Sequence, residues 1–329
     1  MMQLKELGEF GLIERIRNAA GRSDAIVGIG DDCAAFRVPS GTVPLVSTDM
    51  LLEEVHFRSA WSDYYSIGCK SVAVNVSDIA AMGGTPQAIF MGLAAPGEMS
   101  VEQLESLVRG VREESRYYGA ELLGGDTCRS PSGLVLGITV QGYVPEQQIV
   151  TRSGARGGDI IWVSGSLGDS GLALKMLQQG QQPPEVLAMR HHRPRAQVAL
   201  GRALAKRDLA TAMIDISDGL LADLGHILHA SEVGAEIDVR RLPLSSYMQH
   251  HLTRQPEDLH LALRGGEDYE LLFCSAEERG AELRELSAQL EVPLTPIGEI
   301  RQTSGLGVVG ANDLGSELKG EGYDHFVSS

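Results

Sequence analysis

Seven aspartates of this chain lie in short motifs that are bounded by glycine or by hydroxyl side chains, most of them directly after an apolar run. The motifs are GIGDDCA with Asp31 and Asp32, LVSTDM with Asp49, VNVSDIAAMGG with Asp78, LLGGDT with Asp126, and MIDISDG with Asp215 and Asp218. Tight turns at the ends of buried strands can bring such carboxylates to one cleft, where their mutual repulsion is costly without cations. Hard oxygen ligands without a matching histidine or cysteine cluster indicate Mg²⁺, and Mg²⁺ with few protein ligands indicates phosphates.

Length and composition indicate a folded protein of two domains. The chain has 329 residues, of which 43% are hydrophobic and 22% are charged, and one ordinary core does not extend over so long a chain. Its 28 Lys and Arg against 44 Asp and Glu give a net charge of −16. So acidic a chain is a poor candidate for binding nucleic acid through phosphate neutralisation. A phosphorylated substrate is not excluded, because Mg²⁺ inverts the local charge.

The cysteines and the N-terminal segment indicate the compartment. The four cysteines, Cys33, Cys69, Cys128 and Cys274, show no CxxC spacing, so we expect free thiols in a reducing compartment rather than a zinc or redox site. The N-terminal MMQLKELGEFGLIERI carries charges throughout and is not typical of a signal peptide. No segment approaches the roughly 20 apolar residues of a membrane span. We therefore expect a cytoplasmic protein without a membrane partner.

Apolar strand-like runs alternate with amphipathic helices along the chain. In the first half, strands are predicted at 43–48, 87–94, 121–123 and 134–144, and helices at 66–82 and at 100–118, the second opened by a capping box of Ser100 and Gln103. In the second half, strands are predicted at 160–164, 212–216, 235–239, 269–274 and 296–300, and helices at 169–179, 194–207, 219–231 and 277–290.

A break in composition separates the two halves. Residues 151–159, TRSGARGGD, are basic, rich in glycine and poor in apolar side chains, which predicts domains at 1–150 and 151–329. The fold class is α/β in the broad sense, and several strands are close enough in sequence to pair antiparallel. We therefore expect α+β sheets covered on one face rather than a doubly wound parallel sheet.

Two familiar nucleotide signatures and one internal similarity can be tested on the sequence. A P-loop is excluded, because the chain has no Gly-Lys dipeptide. The GxGxxG at 305–310 follows polar residues instead of a strand, so a glycine-rich turn around a short strand explains it better. NVSDIAAMG at 75–83 and DISDGLLADLG at 215–225 both continue from Ser-Asp into a helix-like run. This similarity reflects coincidence, two structurally related halves or a shared capping chemistry.

The aspartate motifs of the first half suit ions and phosphates. In GIGDD, Asp32 is the better placed to reach a metal, whereas Asp31 serves either the turn or a second ion. If STD leaves its strand in a turn, its two hydroxyls and its carboxylate can hold one ion. GGDT lets the backbone approach a phosphate closely while Asp126 binds the metal of that phosphate.

In DISDG, Asp215 and Ser217 share one face if the segment is extended. Asp218 stands where a helix begins, and the start of a helix also presents free N–H groups to anions. Taken singly, each motif is explained as well by a turn or a helix cap. Five such motifs in one chain are not explained by capping alone.

Other polar residues are open to two interpretations. His56 is either a surface histidine or a ligand contact. Glu267 and Asp268 in LRGGEDYELLF either end a loop or contact a substrate. The pair His191-His192 is more typical of the start of a helix than of a ligand pair.

The set of motifs GIGDD, STD, VNVSDIAAMGG, GGDT, RSGA, DISDGL, GGEDYELLF and GYDHF resembles the thiamine-monophosphate kinases. These belong to the superfamily of aminoimidazole ribonucleotide synthetase, selenophosphate synthetase and the hydrogenase maturation protein that dehydrates a thiocarbamoyl group. The resemblance runs nearly end to end, from EFGLIERI to GYDHF. The superfamily shares the aspartate layout, and GGEDYEL with GYDHF is most similar to the thiamine-phosphate members.

The resemblance implies an N-terminal domain that binds ATP and Mg²⁺ and whose sheet pairs with its copy in a homodimer, and a C-terminal α+β domain that completes the active site. It implies ATP-dependent phosphorylation of thiamine monophosphate to thiamine diphosphate. The implied ligands of several Mg²⁺ ions are Asp32, Ser47, Thr48, Asp49, Asp78, Asp126, Asp215 and Asp218. The implied ATP contacts are Gly125, Asp126, Arg152 and Ser217, and the implied thiamine monophosphate contacts are His56, Glu267 and Tyr323.

The expected chemistry is in-line phosphoryl transfer, clamped by metal and without an assigned general base, because the attacking phosphate oxygen is already ionised at neutral pH. One alternative is another enzyme of the superfamily, of the aminoimidazole ribonucleotide or selenophosphate synthetase type. A second alternative is a divalent-metal-binding module without turnover.

Overall fold

The computed structural model describes residues 2–21 and 23–310, with the backbone alone for Glu9 and Phe10. The chain divides into two compact units. Unit 1 comprises Met1–Ile79 and Gly84–Gln147, and unit 2 comprises Ala80–Gly83 and the chain from Gln148 onward. Over the ranges described, no helix is long and apolar enough to cross a membrane.

Unit 1 is built on a four-stranded sheet of order β1-β4-β2-β3. Its elements in chain order are α1 (Leu4–Ala20), β1 (Thr42–Leu52), α2 (Tyr64–Ala81), β2 (Thr85–Pro96), α3 (Val101–Tyr117), β3 (Glu121–Ser130) and β4 (Val135–Pro145). Strand β4 is antiparallel to both β1 and β2, whereas β2 and β3 are parallel. The strands predicted in this half are confirmed, although β1 and β3 extend several residues further than expected.

One face of this sheet is covered and the other is open. On β4, the alternate residues Leu136, Ile138 and Val140 are fully buried, as expected for the side that faces a core. On β1, Val46 and Met50 point to the opposite face and are 67% and 60% exposed. The prediction of a sheet covered on one face is therefore confirmed for unit 1.

Helix α3 begins where its sequence predicts. The Ser100 hydroxyl accepts the backbone N–H of Gln103 at 3.2 Å, and the Gln103 side chain accepts the backbone N–H of Ser100 at 2.8 Å. This reciprocal pair satisfies two of the N–H groups that a helix start leaves without partners.

Unit 2 is built on a six-stranded sheet of order β10-β7-β9-β5-β8-β6. Its elements in chain order are β5 (Ile160–Ser164), α4 (Asp169–Gln178), α5 (Glu185–His192), α6 (Val198–Lys206), β6 (Ala212–Asp215), α7 (Leu220–Ser231), β7 (Gly234–Asp238), α8 (Ser246–Leu252), α9 (His260–Arg264), β8 (Leu271–Ser275), α10 (Gly280–Leu290), β9 (Leu294–Arg301) and β10 (Gly305–Val309). All its pairings are antiparallel except that of β10 with β7.

The central strands of unit 2 bury both faces. On β8, Leu272 and Cys274 belong to one hydrophobic cluster, whereas Leu271 and Phe273 belong to another. Trp162 on β5 joins the second cluster and stacks on Phe273, with 6.5 Å between ring centroids. The expectation of a sheet covered on one face was wrong here, because a continuous apolar run such as LLF packs on both sides of a strand.

Two further predictions need correction. His191 and His192 end α5 rather than begin a helix, since Pro194 disfavours helical backbone at the preceding residue. The similarity between 75–83 and 215–225 is not a shared helix start, because the first segment lies inside α2 or after its end while the second precedes and enters α7. The short strand predicted within the GxGxxG at 305–310 is confirmed as β10.

Candidate active site

Ser47 and Asp49 lie on the same face of β1, and Ser47 contacts Asp78 of α2. Ser47 on β1 donates its hydroxyl hydrogen bond to Asp78 Oδ2 at 2.5 Å. Asn75, one turn before Asp78 on α2, accepts the backbone N–H of Asp49 at 2.9 Å. Ser47 and Asp49 are two positions apart on a strand and so share a face. The group offers two carboxylates and a hydroxyl, which are ligands that Mg²⁺ prefers.

Thr48 lies on the other face of β1. Its hydroxyl donates to the carbonyl of Ile138 at 3.1 Å and lies 3.0 Å from the hydroxyl of Thr139. The segment does not leave its strand in a turn, because β1 continues to Leu52. The three side chains of STD therefore do not surround one point, and a metal role for Thr48 stays a prediction.

Asp126 is separated from Asp49 by the width of the sheet. In register across the four strands, Asp49 pairs with Ile138, Ile138 with Met91, and Met91 with Gly125. Three strand spacings correspond to about 14 Å. Asp126 is one residue beyond Gly125 and so points to the open face. Within unit 1, Asp49 and Asp126 belong to two separate positions.

Gly125 allows a close approach that no other residue type would. Its φ is +153°, and a Cβ atom there would overlap the carbonyl oxygen of Met91 on β2. The LLGGDT motif thus brings exposed backbone and the Asp126 carboxylate to the parallel edge of the sheet. The close approach seen here is to the backbone of β2, and the expected approach of this backbone to a phosphate stays a prediction.

The roles of Asp31 and His56 are partly fixed by their contacts. Asp31 Oδ1 accepts the backbone N–H of Asp32 at 2.8 Å, as expected of a turn residue, and both aspartates are exposed. A second-ion role for Asp31 stays a prediction. His56 is half-buried, and its Nδ1 accepts the backbone N–H of Leu52 at 3.0 Å. In the neutral ring this bond places the proton on Nε2. His56 is therefore an anchored side chain rather than a loose surface histidine.

The DISDG motif of unit 2 forms a loop between β6 and α7 that closes around one carboxylate. Asp215 ends β6 and is buried, and Asp218 follows in the loop. Asp223 Oδ2 accepts the backbone N–H groups of Ser217, Asp218 and Gly219, each at 3.1 Å. Burial, and then the charge of Asp218, raise the pKa of Asp223 to about 7, although the three N–H bonds oppose the rise. A cation beside this loop would relieve the repulsion between Asp218 and Asp223.

Asp223 was missed by sequence reasoning. Its signal is a single carboxylate among apolar residues in LLADLG, four positions after Gly219, where a helical side chain turns back toward the helix start. Asn75 was also missed, because an amide inside an apolar helix has no motif of its own.

The GGEDYEL segment is attached to the DISDG loop by backbone bonds. The N–H of Glu267 donates to the carbonyl of Ser217, and the N–H of Tyr269 donates to that of Ile216, both at 2.8 Å. Glu267 and Tyr269 have φ of +66° and +51°, a conformation that costs of order 1 kcal/mol for non-glycine residues and persists where the surroundings over-determine it. A Cβ atom at Gly266 would overlap the Ser217 carbonyl.

Two buried carboxylates, those of Asp268 and Glu270, anchor the GGEDYEL segment. Asp268 Oδ2 accepts the backbone N–H of Gly168 at 2.9 Å, next to the start of α4. Glu270 accepts bonds from Ser164 at 2.6 Å and from Arg190 at 2.9 Å. Burial raises the pKa of both carboxyls, although these donors oppose the rise. The donors thus hold Asp268 and Glu270 as structural anchors, whereas the Glu267 side chain keeps 25% exposure.

Family models match both halves of the chain. AIR synthase related protein, N-terminal domain, matches residues 30–144, and AIR synthase related protein, C-terminal domain, matches residues 156–311. A thiamine-monophosphate kinase of Salmonella typhimurium is 41% identical over 329 residues, which is 98% of this chain and 99% of the relative. The chain belongs to the thiamine-monophosphate kinase family. It is thus a phosphotransferase of two domains with the α/β fold of that family.

Solved structures support the same assignment. Thiamine-monophosphate kinase from Stenotrophomonas maltophilia K279a superposes with a TM-score of 0.83 at 40% identity, over 92% of this chain and 97% of that one. AaThiL complexed with AMPPCP and TMP superposes with a TM-score of 0.77 at 34% identity, over 99% of both chains.

The oxygen donors of this family member fit Mg²⁺ in small groups. Within the ranges that the structure describes, no three His, Cys, Asp or Glu side chains stand together as a metal-binding cluster. The Ser47–Asp78 pair and the partly exposed Asp218 each offer hard oxygens, and Mg²⁺ takes its remaining ligands from water and phosphate. Arg152 is exposed. The thiamine contact predicted for Tyr323 lies outside the described residues.

Proposed function

We propose that this chain transfers the γ-phosphoryl group of ATP to the phosphate of thiamine monophosphate, forming thiamine diphosphate and ADP. The observation that carries the proposal is the bond of Glu267 N–H to the Ser217 carbonyl at 2.8 Å. It joins a loop suited to metal and phosphate to a partly exposed carboxylate that can compensate the cationic thiazolium ring. The family membership supports the same pairing of ligands.

The proposed transfer is direct and in line. The attacking oxygen belongs to the substrate phosphate, which is ionised at neutral pH, so the reaction needs no strong general base. What it needs is the approach of two polyanions and neutralisation of charge on the transferred group. Several bound Mg²⁺ ions would supply that charge. Under this proposal the chain's own carboxylates orient the ions, and no phosphoenzyme forms.

The proposed roles follow the sequence predictions. Metal ligands come from Asp32, Ser47, Thr48, Asp49, Asp78, Asp126, Asp215 and Asp218. Gly125, Asp126, Arg152 and Ser217 contact ATP, and His56, Glu267 and Tyr323 contact thiamine monophosphate. Domains 1–150 and 151–329 divide these roles between nucleotide binding and completion of the site.

We also propose a cytoplasmic homodimer that pairs through the sheet of unit 1. Strand β1 is an edge strand of 11 residues, and Val46 and Met50 expose apolar side chains on its open face. A long apolar edge is a surface that proteins usually cover. Size-exclusion chromatography with light scattering tests this, and a monomer at micromolar concentration would contradict it.

A coupled assay of ADP release tests the function. We expect ADP release with ATP, Mg²⁺ and thiamine monophosphate, and none when EDTA exceeds Mg²⁺. Formylglycinamidine ribonucleotide and selenide serve as alternative acceptors, and preferential turnover of either would assign the chain to another reaction of its superfamily. Metal binding without ADP release would indicate a binding module. Radiolabel retained on denatured protein after incubation with γ-labelled ATP would contradict direct transfer.

A further inference from the structure

The last turn of α5 contacts the GGEDYEL segment through two consecutive side chains. Arg190 Nη1 lies 2.9 Å from Glu270 Oε1, and His191 Nδ1 lies 3.4 Å from Glu267 Oε2. His191 is 5% exposed. Its Nδ1 also lies 3.0 Å from the hydroxyl of Ser170, in the first turn of α4. The Nδ1 atom of His191 thus faces both the buried Ser170 hydroxyl and the carboxylate of Glu267, which we propose to contact thiamine monophosphate.

The Arg190–Glu270 contact and the His191–Glu267 contact fix different parts of the GGEDYEL segment. Glu270 is almost fully buried and also bonded by Ser164 and Gln197, so Arg190 completes an internal anchor. Glu267 is fixed at its backbone by the bond to Ser217, but its side chain is partly exposed and extends from a left-handed residue. Its carboxylate direction depends on side-chain torsions, which a backbone bond does not set.

We propose that His191 is a positioning residue that sets the direction of the Glu267 carboxylate toward the thiazolium end of thiamine monophosphate, with Ser170 holding the ring of His191. With its proton on Nδ1, the imidazole shares that one hydrogen between the Ser170 hydroxyl, which accepts at 3.0 Å, and Glu267 Oε2 at 3.4 Å. The proposal rests on the proposed function. It adds a residue that the pattern of aspartates does not contain.

A double-mutant cycle distinguishes positioning from a purely structural role. We expect His191→Phe, which retains ring volume and removes Nδ1, to lower kcat/KM for thiamine monophosphate about tenfold while KM for ATP changes less than twofold. In a Glu267→Gln background, His191→Phe should lower kcat/KM for thiamine monophosphate less than twofold, because the carboxylate that His191 would direct is absent. His192→Phe is the matched control in the same turn and should leave both constants near wild type. His191→Asn, whose amide nitrogen lies where Nδ1 does, should restore most of the loss.

Each outcome bears on the assignment. Equal losses from His191→Phe in the wild-type and Glu267→Gln backgrounds would overturn it, since a structural role acts without regard to Glu267. Unchanged kcat/KM in His191→Phe would overturn it as well. If His191→Phe loses its circular dichroism signal, His191→Gln, whose amide sits one bond farther out, carries the same cycle with the same expectation. Absence of ADP release by the wild-type protein would overturn the proposed function and the role of His191 with it. Normal wild-type turnover, together with additive losses of kcat/KM from His191→Phe and Glu267→Gln, would overturn the role of His191 alone.

Discussion

The carboxylate of Asp223 and the backbone nitrogen of Asp218 lie 3.1 Å apart, within a loop whose N–H groups at Ser217 and Gly219 reach the same oxygen. A residue inside α7 thus holds the loop that the sequence assigns to metal and nucleotide. The side chain shapes the site without belonging to the recognisable motif.

Asp223→Ala should therefore loosen the loop. Three N–H groups lose their acceptor, and since the loop is partly exposed, water replaces some of the loss, so we expect about 2 kcal/mol lower free energy of unfolding. The Mg²⁺ concentration for half-maximal ADP release should rise severalfold. Urea unfolding and a Mg²⁺ titration measure the two effects. Asp223→Asn keeps an acceptor oxygen and should stay within about 0.5 kcal/mol of wild type; a loss equal to that of alanine would refute the role of the acceptor.

Asp49→Asn should separate folding from turnover. The Asp49 backbone is held by Asn75 and its side chain is exposed, so the free energy of unfolding should not change. Loss of a charged metal ligand should lower kcat by about 100-fold or more. Asp24→Asn, at another exposed aspartate, is the control. Turnover near wild type in Asp49→Asn would remove Asp49 from the metal ligands.

Gly125→Ala should damage both stability and activity, because its Cβ would overlap the Met91 carbonyl and its φ of +153° disfavours a side chain. We expect about 3 kcal/mol of destabilisation, measured by urea unfolding. Gly137→Ala is a control on β4 of the same sheet, two strands away, where a Cβ meets nothing within 4 Å. Equal behaviour of the two variants would show that β3 adapts freely at Gly125.

Asp258 should make unit 2 sensitive to acid. Its burial raises the carboxyl pKa, but the bonds from Lys175 and His251 outweigh burial, and the net pKa is below the ordinary 3.8. A carboxyl with a lowered pKa stabilises the fold above its ordinary pKa, and that stability is lost as pH falls through the folded value. Asp258→Asn should cost about 2 kcal/mol at pH 7, and its difference from wild type should shrink below pH of about 4.

Urea unfolding at pH 7 and at successive values down to pH 3 measures that difference. Asp24→Asn, at an exposed aspartate of unit 1, is the control and should leave the unfolding midpoint unchanged. A difference between Asp258→Asn and wild type that stays constant down to pH 3 would contradict the assignment of the pKa to these partners.

The elements that the sequence predicts best are those whose local pattern agrees with their packing. The capping box of Ser100 and Gln103 and the apolar run of β4 are of this kind. Helix α5 is not, because Glu185–His192 mixes charged and apolar residues without a clear period. The covering of both faces of β8 was also missed, since the residues that cover it come from distant parts of the chain.

The motif set, and with it the family, can be read from the amino-acid sequence, because glycines and carboxylates at fixed spacing are local properties. Which of those residues meet depends on the folded chain. It separated Asp49 from Asp126 by strand register, turned Thr48 away from Ser47 by the alternation of a strand, and brought Asp223 and His191 to the DISDG and GGEDYEL segments. Register and helix packing are set by contacts between residues far apart in the chain, and no local spacing encodes them.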